Sequence, residues 1–237
     1  MILLDRKTYN DTLSVLRNEK PMSPVYTNLK EYIYEQFGIT AINFAYKNFK
    51  MKPMGRPKKT KNLKCLLSSR DDYNKTIAYK SLDNGDRNHP MMSCKIDEYK
   101  QALIASKFFE LAKQYNCPLH ENAEQIWVTY TDFGAENMDN VIRKVKFSAE
   151  KAIVKKFPDV GIWRIITSFF GVVIFYLNDK QKTENEKNGI SVSIQKDYFS
   201  MVKEHDEFNF YKEKYITFDS KENLDNNYSG NLYYYFK

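Results

Sequence analysis

Twice along this chain a helix-period apolar stripe runs straight into two short β-prone segments, and that recurrence limits the fold more than any composition figure. In the first occurrence Ser23-Pro24 supplies an N-cap followed by proline at the first helical position. Proline is tolerated there because its missing N–H would be unpaired anyway. Val25, Leu29 and Ile33 recur at helical spacing, Phe37 closes the stripe, and Gly38 stands where a left-handed C-cap belongs. Ile39 to Phe49 is then β-branched and aromatic, and a Pro/Gly/Lys-rich connection from Met51 to Asn62 leads to the short strand Leu63-Lys64-Cys65-Leu66-Leu67. In the second occurrence Met138, Ile142, Val145, Ala149 and Ile153 mark a helix from about Glu136 to the Phe157-Pro158 breaker. Ile162 to Thr167 and Val172 to Leu177 follow as two strands, with a turn at Ser168 to Gly171. The copies cover about 24–70 and 136–178; they share a pattern and little residue identity.

Between them, Ser93 or Asp97 caps a helix whose seam is Ile104, Phe108, Leu111 and Tyr115, ending before Pro118. Ile126 to Thr131 alternates as a strand, with Ile126, Val128 and Tyr130 on one side. Downstream, Asp179 to Asn188 is a solvated helix or loop, and Ile194 to His205 a short helix with Tyr198, Phe199 and Val202 inward. Tyr215 to Phe218 and Leu232 to Phe236 read as a closing strand pair. The absence of strict βαβ alternation argues for an α+β fold. We expect a mainly antiparallel sheet with the helices near 24–37, 97–116 and 137–157 on one face, and an internal α-β-β duplication. At 237 residues the chain is long enough for a sizeable core. It reads as a single domain, 1–237, with pseudo-repeat halves of about 1–92 and 93–237.

The net charge of +7 is concentrated. From Lys47 to Lys80 there are eleven Lys/Arg against Asp71 and Asp72, so that window carries 11 − 2 = +9 and the rest 7 − 9 = −2. A near-neutral body with one basic patch is a weaker argument for nucleic acid than a basic face over the whole fold. Cys65, Cys94 and Cys117 fit neither a disulfide framework nor a zinc spacing, and read as free thiols of a reducing compartment. Met1-Ile2-Leu3-Leu4 meets Asp5-Arg6-Lys7 with no signal-peptide core, and the apolar run Ile165 to Leu177 is too short to span a bilayer. The expectation is a cytoplasmic protein with no membrane partner.

Met54-Gly55-Arg56-Pro57-Lys58-Lys59 resembles an AT-hook, although Met54 stands where that motif carries arginine. Lys47, Arg56, Lys58, Lys59 and Lys61 are therefore the candidates for a nucleic-acid contact, against the alternative of a solvated, proline-stiffened loop. Asp83, Asp86, Arg87 and His89 share one loop and read as ordinary turn residues, with acid–base work as the alternative. Pro158-Asp159 opens like a PD-(D/E)xK nuclease site, but no acid-x-Lys follows it, and Glu98-Tyr99-Lys100 lies upstream on a helix. No P-loop, nucleophile elbow, His-Glu-x-x-His or dinucleotide glycine triad occurs, and His89, His120 and His205 are far apart. We expect no catalytic residues, no metal and no cofactor. Asp219, Glu222 and Asp225 could hold a cation or a basic partner, or form a turn bonding its own backbone. Tyr233, Tyr234 and Tyr235 would alternate faces on a strand, leaving Tyr234 outward beside those acids as a partner-binding candidate.

The ending, from Asp206-Glu207-Phe208 through Ile216-Thr217-Phe218-Asp219-Ser220-Lys221-Glu222-Asn223 to Asn231-Leu232-Tyr233-Tyr234-Tyr235-Phe236, resembles that of immunity proteins of bacterial polymorphic toxin systems. The helix and hairpin from Asn137 to Leu177 are similar in style. The resemblance covers about the last hundred residues. It implies a non-catalytic protein that binds a cognate toxin domain in the producing cell's cytoplasm, and it carries over no particular interface residue. Inhibitors of nuclease toxins tend to be acidic, and this chain is basic, so the implied toxin need not be a nuclease.

Overall fold

The computed structural model describes residues 4–48, 61–81, 92–119, 122–168 and 171–237. They form two compact units, Met1–Glu136 and Asn137–Lys237, each with its own three-stranded sheet and apolar core.

In the first unit α1 (Arg6–Leu16) starts at Asp5, whose carboxylate accepts the Thr8 N–H at 3.0 Å. Helix α2 (Pro24–Phe37) has the Ser23 cap, and Gly38 closes it at φ 61°, a left-handed conformation that favours glycine. It feeds β1 (Ala41–Asn48), antiparallel to β2 (Lys61–Leu67). Helix α3 (Arg70–Asn74) and the hairpin of β3 (Ile77–Ser81) and β4 (Met92–Ile96) precede α4 (Glu98–Gln114). Asp97 is the cap of α4, accepting the Tyr99 and Lys100 N–H groups. A single 3-10 turn, Ala123–Gln125, delivers β5 (Ile126–Asp132), which runs parallel to β2 in the order β1-β2-β5. Val25, Leu29 and Ile33 of α2 and Ile104, Phe108 and Leu111 of α4 bury against Phe44, Leu63, Cys65, Leu67, Ile126 and Val128. Each such aliphatic or aromatic side chain contributes about 1.5–3 kcal/mol by leaving water.

Helix α5 (Phe133–Lys156) brings Val141, Ile142, Val145, Ala149 and Ile153 to the core of the second unit. Strands β6 (Ile162–Ser168) and β7 (Gly171–Tyr176) are antiparallel. After α6 (Asp179–Lys187), α7 (Ile190–Lys203) and the 3-10 turn Glu213–Tyr215, β8 (Ile216–Ser220) lies parallel to β7 in the order β6-β7-β8. Helices α8 (Lys221–Tyr228) and α9 (Leu232–Tyr235) close the chain.

The expected recurrence is present and extends beyond the hairpin. In both units the last residue of the second strand, Leu67 or Tyr176, pairs with Ala41 or Ile162 on one side and with Asp132 or Ser220 on the other. The first strand is bulged at the same place, between Ala41 and Asn43 and between Ile162 and Arg164. Two residues past the second strand, Ser69 and Asn178 cap the next helix, each accepting the N–H three residues on. Asp132 and Ser220 cap the helix after the third strand in the same way, from Ala135 and Asn223. Val25, Leu29, Ile33 and Phe37 recur as Val145, Ala149, Ile153 and Phe157 ahead of the first strand. The units divide between Glu136 and Asn137, after β5 has joined β2.

The α+β class holds, with two differences. The strands belong to three small sheets, and the pairs β2/β5 and β7/β8 are parallel. In the second unit helices cover both faces, since Leu224, Tyr228, Leu232, Tyr235 and Phe236 pack on Trp163, Ile166, Val173 and Phe175. The expected closing strand at Leu232 to Phe236 is instead the helical turn α9, started by the Asn231 side chain accepting the Tyr233 N–H at 2.9 Å. Its aromatic residues serve as a plug: the Tyr235 ring meets Phe175 at 5.2 Å and Tyr228 at 5.0 Å. The acidic turn expected around Asp219 to Asp225 is the end of β8 and the first turns of α8.

Candidate functional site

Ser220 starts α8 by accepting the Asn223 N–H at 2.8 Å, and this fixes where the three candidate carboxylates go. Asp219 accepts the Asn223 side-chain amide at 3.0 and 2.9 Å and the Tyr235 hydroxyl at 2.7 Å. Glu222 accepts the N–H of Asp179 at the start of α6, 3.0 Å away. Asp225 pairs with Lys221 one turn back on α8. Each acid thus has a local job, and the three do not converge. Among the described residues no group of His, Cys, Asp and Glu could hold a metal ion. Burial, and then the bond to Asp219, pushes the Tyr235 hydroxyl above its ordinary range. Tyr234 is 57% exposed and Tyr233 69%, their ring centroids 5.6 Å apart. Strand alternation predicts one outward tyrosine; helical geometry presents two adjacent ones.

Of the basic candidates, Lys47 donates to Asp5 at 2.7 Å and also to the Thr8 hydroxyl. That bond is the largest cause holding the Asp5 carboxyl well below its usual range. The Lys61 ammonium lies 5.8 Å from the Tyr46 ring centroid. Arg56, Lys58 and Lys59 fall outside the described residues, as do Asp83, Asp86, Arg87, His89 and His120. Asp159 and His205 are exposed. Cys65 is buried and Cys117 exposed, both free thiols, and burial pushes the Cys65 thiol far up.

A polar patch that the sequence reading missed lies on the first sheet's second face. The register sets Lys47, Asn62 and Trp127 in one row and Ala45, Lys64 and Thr129 in the next. The Asn62 amide donates to the Trp127 carbonyl at 3.1 Å and to the Thr129 hydroxyl at 2.9 Å. Lys64 is half-buried, and burial lowers its pKa while Asp5 and Glu136 oppose the shift. The matching position in the second unit is Val173, inside the aromatic plug. Two amines are thus balanced by two carboxylates, a neutral network that also ties α1 to β1 through Asn43 and Thr12. Its signal in sequence was Asn62 and Lys64 alternating with the buried Leu63 and Cys65 of β2, while the neighbours they meet are legible only once the register is known.

In the second unit the Tyr198 and Tyr211 hydroxyls and Glu150 Oε1 have no hydrogen-bond partner among the described residues. Burial pushes both phenols far up and raises the Glu150 carboxyl. Among the described residues no helix is long and apolar enough to cross a membrane. Comparisons of the chain with protein-family models, with curated proteins and with solved structures find no match.

Proposed function

We propose that this chain is a non-catalytic partner-binding protein that neutralises a cognate bacterial toxin domain in the cytoplasm. The observation that carries this reading is the exposed Tyr233–Tyr234 pair on α9. Adjacent tyrosines give large contact area at low entropy cost and recur at binding hot spots. The scaffold beneath them is pre-organised, because Tyr235, Phe236 and Leu232 anchor α9 on the sheet. The similarity of the C-terminal stretch to immunity proteins points to the same class of partner.

The test is a pull-down from the native host with the full chain as bait, read by mass spectrometry. It is followed by growth assays of the recovered polypeptide expressed alone and with the chain. The expected result is a polypeptide toxic alone and tolerated with the chain, and a Tyr233→Ala, Tyr234→Ala variant that folds but no longer protects. Recovery of no toxin-like polypeptide, or turnover of a substrate by the purified protein alone, would overturn the reading. Nucleic-acid binding that weakens steeply with salt, and is lost in Arg56→Ala, Lys58→Ala, Lys59→Ala, would replace it with the basic-loop alternative.

A further inference from the structure

The outward face of α5 carries an apolar stripe set in a field of cations. Its inward face is the core row Val141, Ile142, Val145, Ala149 and Ile153. At 3.6 residues per turn the opposite side is centred on Phe147, with Arg143, Lys151 and Val154 following at the helical spacings −4, +4 and +7. Lys144 and Lys155 flank that row. Phe147 is 79% exposed and Val154 50%, although both belong to residue types that bury when they can. The cations Arg143, Lys144, Lys151 and Lys155 are all exposed. Arg143 has a partner in Asp139 at 2.8 Å, whereas Lys144, Lys151 and Lys155 make no ion pair among the described residues. Lys146 lies 5.8 Å from the Phe147 ring centroid, and Lys156 pairs with Asp197. Glu150 is the one acid from Arg143 to Lys156, and it is half-buried with its pKa raised by burial.

We propose that this face of α5 is a docking surface for an acidic polypeptide segment that places apolar side chains between its carboxylates. Charge complementarity sets the sign of the partner, since uncompensated ammonium groups attract carboxylates and disfavour basic surfaces. The centre of the stripe sets its class. A phosphate backbone has no use for Val154, whereas an apolar centre rimmed by charge is the usual anatomy of a protein interface. From Arg143 to Lys155 the stripe spans about 18 Å, at about 1.5 Å per residue, the reach of a short helix or about five extended residues of the partner. The surface is separate from the Tyr233–Tyr234 pair and stands whether or not the partner there is a toxin.

The test uses the full chain and synthetic probes in solution, with backbone amide shifts as the readout. One peptide of about fifteen residues carries glutamates with two leucines two helical turns apart, matching Phe147 and Val154; its control has both leucines replaced by serine. A single-stranded oligonucleotide of similar charge is the third probe. The expected result is shifts confined to 143–155, with the leucine peptide half-saturating at no more than a fifth of the control's concentration. Phe147→Ser should erase that difference, and Lys144→Glu with Lys151→Glu should abolish both peptides' binding, the rest of the spectrum staying unchanged. Equal binding of the two peptides, no shifts on α5, or tighter binding of the oligonucleotide at α5 would each overturn the proposal.

Discussion

Gln101 and Gln195 do the same work in two copies of one topology. Gln101 on α4 donates its side-chain amide to the Val128 carbonyl, and Gln195 on α7 donates to the Ile216 carbonyl at 2.9 Å. Val128 pairs with Leu63 and Ile216 with Val172, each four residues before the end of the second strand. The helix that precedes the third strand therefore grips that strand at an equivalent carbonyl in both units. Three residues on from each glutamine stands a buried core residue, Ile104 or Tyr198, and seven on stands Phe108 or Val202. Shared register, bulge and side-chain-to-backbone bond together point to duplication more strongly than helix and strand order alone.

The grip is testable. Truncating Gln101 to alanine leaves a buried carbonyl without its donor, which costs about 1–3 kcal/mol. Gln195→Ala should cost less, because that side chain is only half-buried. Urea unfolding of the two variants at neutral pH measures both, and an unchanged midpoint for Gln101→Ala would contradict the assignment.

Gly171 and Gly38 separate two reasons for glycine. Gly171 has φ 133°, and a Cβ there would stand 2.0 Å from the Tyr215 carbonyl oxygen, so β8 would have to move away from β7. Gly38 also has positive φ, 61°, but a Cβ there meets nothing within 4 Å. Gly38→Ala should cost about 1–2 kcal/mol, the left-handed penalty alone. Gly171→Ala should cost clearly more, because clash and backbone strain add. Thermal denaturation of the pair gives the ranking.

Asp132 makes stability depend on pH in an unusual direction. Its Oδ1 caps α5 by accepting the Ala135 N–H at 2.9 Å, while Oδ2 is buried with no partner among the described residues. Burial raises its pKa, with Asp72 and Asp71 adding to the rise and Arg70 and the Ala135 bond opposing it. An acid whose folded pKa lies above the unfolded value weakens the fold as the pH rises past the unfolded value, and the loss is complete above the folded value. That loss is relieved as the pH falls toward the unfolded value near 3.9. Asp132→Asn keeps an oxygen for the cap and removes the charge. It should therefore be at least as stable as the parent at pH 7, with the advantage shrinking as the pH falls, read by unfolding curves from pH 4 to 8.

Much of the fold was legible where local chemistry decides it. The Ser23-Pro24 cap, the Val25–Leu29–Ile33 stripe and Gly38 bound α2 without help from the rest of the chain. Helix α1 gave no such signal, because the residues it buries are Thr8 and Thr12. At Asp219 to Asn223 the side chains do bond nearby backbone, as the turn reading required, but the Ser220–Asn223 bond is the one that starts a helix. Leu232 to Phe236 has strand composition, yet β7 is already paired on both edges and Phe175 offers an aromatic face instead. Parallel pairing of β2 with β5 and of β7 with β8 joins segments separated by helices, which no local pattern records. The exposed side of α5 escaped for a related reason: its inward stripe is so regular that Phe147 reads as one more aromatic until its exposure is known.

The C-terminal plug should separate stability from binding. Tyr235 is anchored twice, by its ring against Phe175 and Tyr228 and by its hydroxyl 2.7 Å from Asp219. Tyr235→Phe keeps the ring and loses a bond to a charged acceptor, which costs about 1.5–3 kcal/mol. Tyr235→Ala loses the ring as well and approaches the about 3–5 kcal/mol of a large aromatic truncation. Tyr233→Ala and Tyr234→Ala, both at exposed positions, should change stability by no more than about 0.5 kcal/mol. The hydroxyl also has a pH signature. A phenol whose folded pKa is raised contributes nothing below about 10, the unfolded value, and weakens the fold as the pH climbs past it. Tyr26, pushed up to about 12 by burial, acts in the same direction. Alkaline unfolding should therefore set in above about pH 10, with Tyr235→Phe less sensitive than the parent. If instead Tyr234→Ala were as destabilising as Tyr235→Ala, α9 would be held by its outer tyrosines, and they would be structural rather than free to meet a partner.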